Sequence, residues 1–255
     1  TSTKCVKVCI LINRQNILFD TIYSQISQDS LFEGYFFECL EEYLIRDQLK
    51  EIPPQIVQNF IDYYSKNLSF HLNLEKCLFH FDIASLDLHN VIQICKKFSL
   101  YDAYIYLNNK AFNDYILPFE DLLQMINPIM FLNYNLAKKY LKECDKNLVK
   151  IGNKLLVYLY CCLCGQSYPY GIINDDHLSD KVRRNTFEYL TAKKCKMIDE
   201  LLLREKEMNS SQFKINVDEL LNKEKTSYNR SYPILRIFLY FDTLDFLNVI
   251  SMTFN

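Results

Sequence analysis

The sequence predicts an all-α fold, an α-solenoid built from antiparallel helix pairs. Apolar residues recur at the three- and four-residue spacing of a helix face along most of the 255 residues. Helix-starting residues stand directly before several of these stripes, whereas the Asn-Gly and Asp-Gly dipeptides of β-hairpins do not occur in the sequence. With 4 glycines and 6 prolines, the chain is also too poor in turn residues for a loop-rich β-sandwich.

The first well-marked helix covers residues 32–44. Its apolar side chains share one face, and they are Phe32, Phe36, Phe37, Leu40, Tyr43 and Leu44. Pro54 then suits the first turn of a second helix, which runs to Tyr64.

The middle of the sequence predicts a helical hairpin. Asp87 is placed to cap a helix whose apolar stripe is Leu88, Val91, Ile92, Cys95 and Phe98. A second stripe follows at once, and it consists of Leu100, Ala103, Tyr104 and Leu107. Only Ser99 lies near the junction, so the two helices are expected to pack side by side.

Later helices are expected to begin at Pro118 and Pro233. The longest uninterrupted apolar run, residues 155–164, has half of the ~20 residues that span a bilayer, so we predict no transmembrane segment. Residues 193–230 mix both charge signs and predict a solvated helix and a mobile loop. We therefore predict one α-solenoid segment of a longer protein over residues 1–255, with a charged mobile insertion at about 193–230.

The charge balance and the cysteine content exclude some classes of function. The 29 basic and 31 acidic residues give a net charge of -2, which provides no overall basic field for nucleic acid or an anionic membrane. Ten cysteines without a secretory signal, several of them at helix-core spacing, indicate a reducing, cytosolic environment.

Three cysteines form the sharpest chemical motif. Cys161, Cys162 and Cys164 contain the spacing of a zinc or redox pair, and His177 is the nearest histidine. A zinc site needs two further ligands at defined spacing, which the sequence does not supply. We interpret these thiols as small core residues of a buried helix, and the same applies to Cys5 and Cys9.

Other catalytic patterns find little support. His89 and Cys95 lie six residues apart, on different faces of one helix, and cannot form a nucleophile pair. His71 and His80 are interpreted as polar helix edges. The 19 tyrosines and 18 phenylalanines lack interleaved basic residues, so packing explains most of them, and the exposed ones are hypothesised to mark a protein contact.

Three stretches of the chain, in order, resemble the vacuolar protein sorting-associated protein 8 family. The first joins residues 80–88 to 100–106, the second covers 152–169, and the third covers 232–254. Within them we single out Asp82, Ser85, Leu86, Asp87, Tyr101, Asp102, Gly152, Asn153, Lys154, Pro169, Phe241, Asp242 and Phe246. Weaker similarity extends the resemblance to nearly the whole chain, although residues 127–146 and 193–230 depart from the family's pattern.

Structural roles follow for some of these residues. We expect Asp87 to cap a helix, Gly152 to permit close helix approach or a turn, and Pro169 to terminate a helix. Phe241 and Phe246 are expected to pack in the core. Catalytic residues, cofactors and metal ligands are not expected in this segment.

The resemblance implies a non-catalytic scaffold subunit of CORVET, the tethering complex of early endosomes. It implies the class C core tethering subunits and an early-endosomal Rab GTPase as partners, and a cytoplasmic protein held on the early endosome membrane through them. Two alternatives remain at this point. One is a clathrin-heavy-chain-like solenoid of the related late-endosomal or lysosomal tether, and the other is a thiol- or metal-dependent enzyme using Cys161, Cys164 and His177.

Overall fold

The computed structural model describes residues 2–49, 51–169, 171–208 and 231–253. The described residues are helical apart from turns and one isolated antiparallel bridge between Gln166 and Ile172, which confirms the all-α prediction. The backbone groups into two compact units, residues 1–113 and 114–255. The single segment over 1–255 stays a prediction, and residues 209–230 of the proposed mobile insertion lie outside the described residues.

Unit 1 is a set of short helices linked by tight turns. A π-helical turn at Ile17–Ile22 precedes α2, and 3-10 turns at Leu68–Phe70 and Ile83–Ser85 precede α5 and α6. The helices are α1 (Ser2–Leu11), α2 (Tyr23–Ile26), α3 (Ser30–Ile45), α4 (Pro54–Ser65), α5 (His71–Leu78), α6 (Leu88–Phe98) and α7 (Tyr101–Phe112).

Aromatic rings fill the core between α3 and α4. Phe37 of α3 meets Phe60 of α4 edge-on at 5.5 Å between centroids, and Phe60 stacks on Tyr64 at 4.3 Å. The stripe predicted on residues 32–44 is therefore confirmed for its buried members. Phe32 shares this face of α3, but it is 53% exposed because it lies at the start of the helix.

The predicted hairpin of α6 and α7 is confirmed. The Asp87 carboxylate accepts a hydrogen bond from the backbone N–H of Asn90 at 3.2 Å and caps α6. Ser99 ends α6 in the left-handed region, at φ 59°, and turns the chain into α7. Pro54 also stands at the start of α4, as predicted.

A carboxylate from a neighbouring helix caps α7. The Glu75 side chain on α5 accepts hydrogen bonds from the backbone N–H groups of Asp102, at 2.9 Å, and Ala103, at 3.4 Å. The first N–H groups of a helix have no partner within the helix. Glu75 thus provides a hydrogen-bond acceptor for two N–H groups at the start of α7 and links α7 to α5.

Unit 2 is arranged around one long helix, α10. The helices are α8 (Leu117–Met125), α9 (Tyr134–Glu143), α10 (Lys146–Cys164), α11 (Asp176–Leu190), α12 (Lys196–Met208), α13 (Pro233–Phe241) and α14 (Thr243–Thr253), with a 3-10 turn at Pro128–Leu132. Pro118 and Pro233 lie in the first turns of α8 and α13, as predicted. Helix α10 packs against α8, α11 and α14.

By length and composition alone, α10 is also able to cross a membrane. Within the described part of the chain it is the one helix of this kind, and 56% of its most apolar window is buried. The central helix of a folded domain meets the same criterion, and the packing of α10 on three neighbours is of that type.

We expect Glu75→Ala to lower the free energy of unfolding by about 1 kcal/mol, because two N–H groups of α7 lose their acceptor. Urea unfolding followed by circular dichroism measures this loss. Lys76→Ala removes an exposed side chain from the same helix and serves as the control, with an expected change below about 0.5 kcal/mol. Equal effects of both substitutions contradict the capping role.

Candidate interaction surfaces

Residues 80–88, part of the first stretch of the chain that resembles the family, form a turn that two side-chain hydrogen bonds hold. The Asp82 carboxylate accepts from the backbone N–H of Ala84 at 3.1 Å, and the Ser85 hydroxyl donates to the Asp82 carbonyl at 2.7 Å. Leu86 is buried, and Asp87 then caps α6. The polar side chains of Asp82, Ser85 and Asp87 form hydrogen bonds that stabilise the turn and the start of α6, which is a structural role.

The start of α7 contains the other two residues of that stretch. Tyr101 is buried, and the backbone N–H of Asp102 donates to Glu75. Asp82, Asp87 and Asp102 are of the residue type that serves as general acid and base, but the sequence favours Asp87 as a helix cap. In the structure the Asp82 and Asp87 carboxylates accept backbone hydrogen bonds, which is a structural role.

The second and third stretches meet at Gly152. A Cβ atom added to Gly152 on α10 would lie 2.0 Å from Cζ of Phe241 on α13, which no real contact permits. The phenyl ring therefore occupies the space that a side chain at residue 152 would need. This confirms Gly152 as a position of close helix approach and Phe241 as a packing residue.

The start of α14 is fixed next to that contact. The Asp242 carboxylate accepts from the backbone N–H of Asp245 at 3.0 Å, and Phe246 is buried against Phe238 with stacked rings 6.0 Å apart. The packing role of Phe246 is confirmed. The capping role of Asp242 was not predicted, although the three-residue spacing to Asp245 is typical of an N-cap.

The predicted role of Pro169 is wrong. Helix α10 ends at Cys164, because Gly165 adopts φ 67° and leads the chain out of the helix four residues before the proline. Side chains of α11 complete this end: Arg183 Nη2 donates to the Cys164 carbonyl at 2.8 Å, and the Ser179 hydroxyl donates to the Gly165 carbonyl at 3.3 Å. No local sequence signal identifies these two partners, since Arg183 lies 19 residues from Cys164 and Ser179 lies 14 residues from Gly165.

The cysteine motif lies mostly inside unit 2. Cys161 and Cys162 are buried on α10, Cys164 is half-buried, and His177 is exposed in the first turn of α11. Burial raises the pKa of the Cys161 thiol from 9.0 to about 11, and it also raises the pKa of Cys162. Within the described ranges, no group of three or more His, Cys, Asp and Glu side chains could hold a metal ion.

The other proposed pair is separated. His89 is exposed on α6 and Cys95 is buried on the same helix, where burial raises its pKa to about 12. His80 contacts Asp47, with Nδ1 2.8 Å from a carboxylate oxygen, and His71 is buried against the ring of Phe98 at 4.1 Å. The interpretation of His71 as a polar edge is therefore wrong, because α5 turns its ring into the core.

Unit 1 has an open groove of about 500 Å³. It is lined by Glu38, Glu41, Glu42, Ile45, Arg46, Phe70 and Asn73. Glu41 accepts from the Tyr64 hydroxyl at 2.5 Å and from the Asn73 amide at 2.7 Å, while Glu42 forms an ion pair with Arg46 at 2.8 Å. Burial, followed by the Glu41 hydrogen bond, raises the pKa of Tyr64. These carboxylates are already engaged, and the groove is part of the α3–α5 packing.

Exposed apolar side chains provide better candidates for a contact with another protein. Leu31, Phe32 and Tyr35 are all more than half exposed on α3. Leu244, Leu247 and Met252 are similarly exposed on α14. The hypothesis that exposed aromatic residues mark a protein contact stays a prediction.

The chain is similar to one protein family over almost its whole length. The family described as Vps8 central TPR matches residues 35–254. The vacuolar protein sorting-associated protein 8 homologues of Mus musculus and Homo sapiens are each 34% identical to the chain over 249 residues, which is 98% of the chain and 15% of each relative. The homologue of Drosophila melanogaster is 27% identical over 98% of the chain and 16% of its own length. No solved structure matches the chain.

We expect Gly152→Ala to destabilise unit 2 by about 1–3 kcal/mol, because the new methyl group collides with Phe241. At an open helical position the same substitution is stabilising by roughly 1 kcal/mol, so the sign of the change is informative. Urea unfolding of Gly152→Ala, with exposed Asn153→Ala as the control, measures it. Adding Phe241→Leu to Gly152→Ala should recover part of the loss, and a stabilising Gly152→Ala refutes the contact.

We also expect Cys161 and Cys162 to resist thiol reagents at neutral pH in the folded protein. The ionised thiolate is the reactive form, and burial disfavours it at both positions. Because the folded pKa of Cys161 is raised, its contribution to stability is complete below pH 9.0 and is lost as the pH rises towards 11. Thiol titration with and without denaturant, using Cys161→Ala and Cys162→Ala to assign the signals, checks this. Rapid labelling of Cys161 in the native state supports instead the alternative of an enzyme that uses Cys161, Cys164 and His177.

Proposed function

The chain belongs to the Vps8 family, as part of its central helical-repeat region, and on this premise we propose that it is a non-catalytic scaffold segment of the CORVET endosomal tethering complex. The all-α solenoid fold class follows from this membership together with the described helices. The segment takes part in endosomal fusion and in vacuolar or lysosomal protein transport. It covers 15% of the mouse and human relatives, so the tethering activity belongs to a larger assembly of domains.

The observation that carries the proposal is the match of residues 35–254 to a helical-repeat family. The structure supports a scaffold through the way its polar residues are used. Asp82, Asp87 and Asp242 cap helices or turns, and Glu41 bonds to neighbouring side chains. Side chains engaged in this way stabilise a shape, and repeated helix pairs offer a long surface to several partners.

The proposed partners are the class C core tethering subunits and an early-endosomal Rab GTPase. The protein then acts in the cytoplasm, held peripherally on the early endosome membrane through these partners. This segment needs no cofactor for that role. A subunit that binds several partners on one extended surface raises their effective concentration for each other.

The two alternatives differ in support. A solenoid of the related late-endosomal or lysosomal tether is disfavoured by the match to the Vps8 family itself. A thiol or metal enzyme using Cys161, Cys164 and His177 is disfavoured because Cys161 is buried and the described ranges contain no group of three or more His, Cys, Asp and Glu side chains that could hold a metal ion.

The experiment is affinity purification of the tagged full chain from its own cells, followed by mass spectrometry. We expect the class C core subunits and an endosomal Rab to co-purify. If an unrelated complex appears in their place, the proposed function is refuted.

Surface variants refine the same experiment. We expect Phe32→Ser with Tyr35→Ser on α3 to reduce co-purification of one partner by about tenfold or more, as for a loss of interface aromatic residues. Phe112→Ser with Phe187→Ser removes two equally exposed rings elsewhere and should leave co-purification unchanged. The same loss in both double variants contradicts a contact on α3.

A further inference from the structure

Positive charge is concentrated in one region of unit 2. Residues 134–154 contain six lysines and two acidic residues, a net charge of +4. The whole chain has a net charge of -2, so the remainder carries -6. The six lysines are Lys138, Lys139, Lys142, Lys146, Lys150 and Lys154.

Three of these lysines lie along one side of α10. At about 100° per residue, residues 146, 150 and 154 stay within roughly 80° of each other around the helix axis. Three uncharged residues occupy the adjoining positions of the same side. We call the whole set the basic strip, and it consists of Lys146, Val149, Lys150, Asn153, Lys154 and Val157.

The basic strip faces outward from unit 2. Lys146 and Lys150 are exposed, Lys154 is half-buried, and the two valines are 38% and 52% exposed. The opposite side of α10 is in the core, where Gly152 contacts Phe241. Among the described residues, the contacts that hold α10 leave this side open over about 16 Å of helix.

Two of the three lysines of the basic strip, Lys146 and Lys150, carry charges without an ion-pair partner among the described residues. The acidic neighbours in sequence, Glu143 and Asp145, lie close to Lys146 and are already counted in the net charge of +4 over residues 134–154. Since the Debye length is about 8 Å at physiological salt, distant carboxylates do not cancel the local field.

The chemistry of the strip indicates its partner. Lysine places a mobile point charge on a long apolar stem, whereas recognition of a single phosphate usually uses the fixed fork of arginine. The strip is the convex side of one helix, and such a side meets a flat surface better than it encloses a peptide. The exposed valines between the lysines add small apolar contacts of the kind that interfacial helices make with lipid.

We propose that the basic strip of α10 docks directly on the surface of a bilayer that contains anionic lipids. Each lysine near such a surface contributes about 1 kcal/mol of attraction. The net charge of -2 predicts no overall attraction to an anionic membrane, and the basic strip departs from that average because its positive charge is local. The inference does not rest on the proposed tethering function, in which partners hold the protein on the membrane.

The test is flotation of the purified full chain with two kinds of vesicle. One kind is phosphatidylcholine alone, and the other is equal parts of phosphatidylcholine and phosphatidylserine. We expect binding to the second kind only, and we expect added salt to weaken it. Lys146→Glu with Lys150→Glu should lower the apparent affinity by at least about thirtyfold, which corresponds to two lysine contributions.

The matched control is Lys181→Glu with Lys194→Glu, which makes the same change in net charge at exposed residues of unit 2. We expect less than about a threefold loss for it, given ordinary salt screening. Circular dichroism verifies that both variants are folded. Failure of the wild-type chain to bind phosphatidylserine vesicles, or an equal loss in both variants, overturns the proposal.

A further arm replaces the vesicles with polyglutamate. If the wild-type chain binds the polymer, the Lys146→Glu, Lys150→Glu variant does not, and vesicle binding is the same for both, the strip recognises an acidic protein segment and the lipid proposal is wrong. Co-purification of the tethering subunits is measured separately, so either proposal can fail without the other.

Discussion

The polar groups at helix ends are the constraint on which both units depend. A fold made of many short helices has many unpaired N–H and C=O groups, and each must find a partner. Asp87 and Asp242 supply local caps, whereas Glu75 and Arg183 reach across to a neighbouring helix. The second kind of cap also determines which helices lie side by side. Some helix caps in this protein therefore depend on the packing of neighbouring helices, and they stabilise that packing in turn.

Packing between the helices follows two patterns. In unit 1 aromatic rings fill the space between α3 and α4, and hydroxyl groups at their edges bond to carboxylates, as Tyr64 does with Glu41. In unit 2 a missing side chain at Gly152 admits the ring of Phe241. Both patterns bring side chains of neighbouring helices into close contact in the interior of each unit.

Local patterns predicted much of this structure, and long-range partners explain the rest. The N-cap at Asp87 and the proline at residue 54 act within four residues, so the sequence contains the whole signal. Glu75 acts on a helix 27 residues away, and nothing near it in sequence indicates that. Proline cannot continue a helix, so the sequence predicts an end at Pro169. Gly165 ends α10 earlier because glycine adopts the left-handed conformation at little cost in free energy. The sequence analysis did not predict the basic strip for another reason, because the net charge of the chain sums over its whole surface and does not show a local excess of lysines.

The fastening of α10 has a mechanical consequence. This helix is held at Gly152 by the ring of Phe241, and at its last turn by the side chains of Ser179 and Arg183. A pulling force applied along its axis is thus shared among α11, α13 and the helix itself, and shear must break several contacts at once. The last turn of α10 is consequently protected from fraying, because it cannot open without breaking the hydrogen bonds from Ser179 and Arg183.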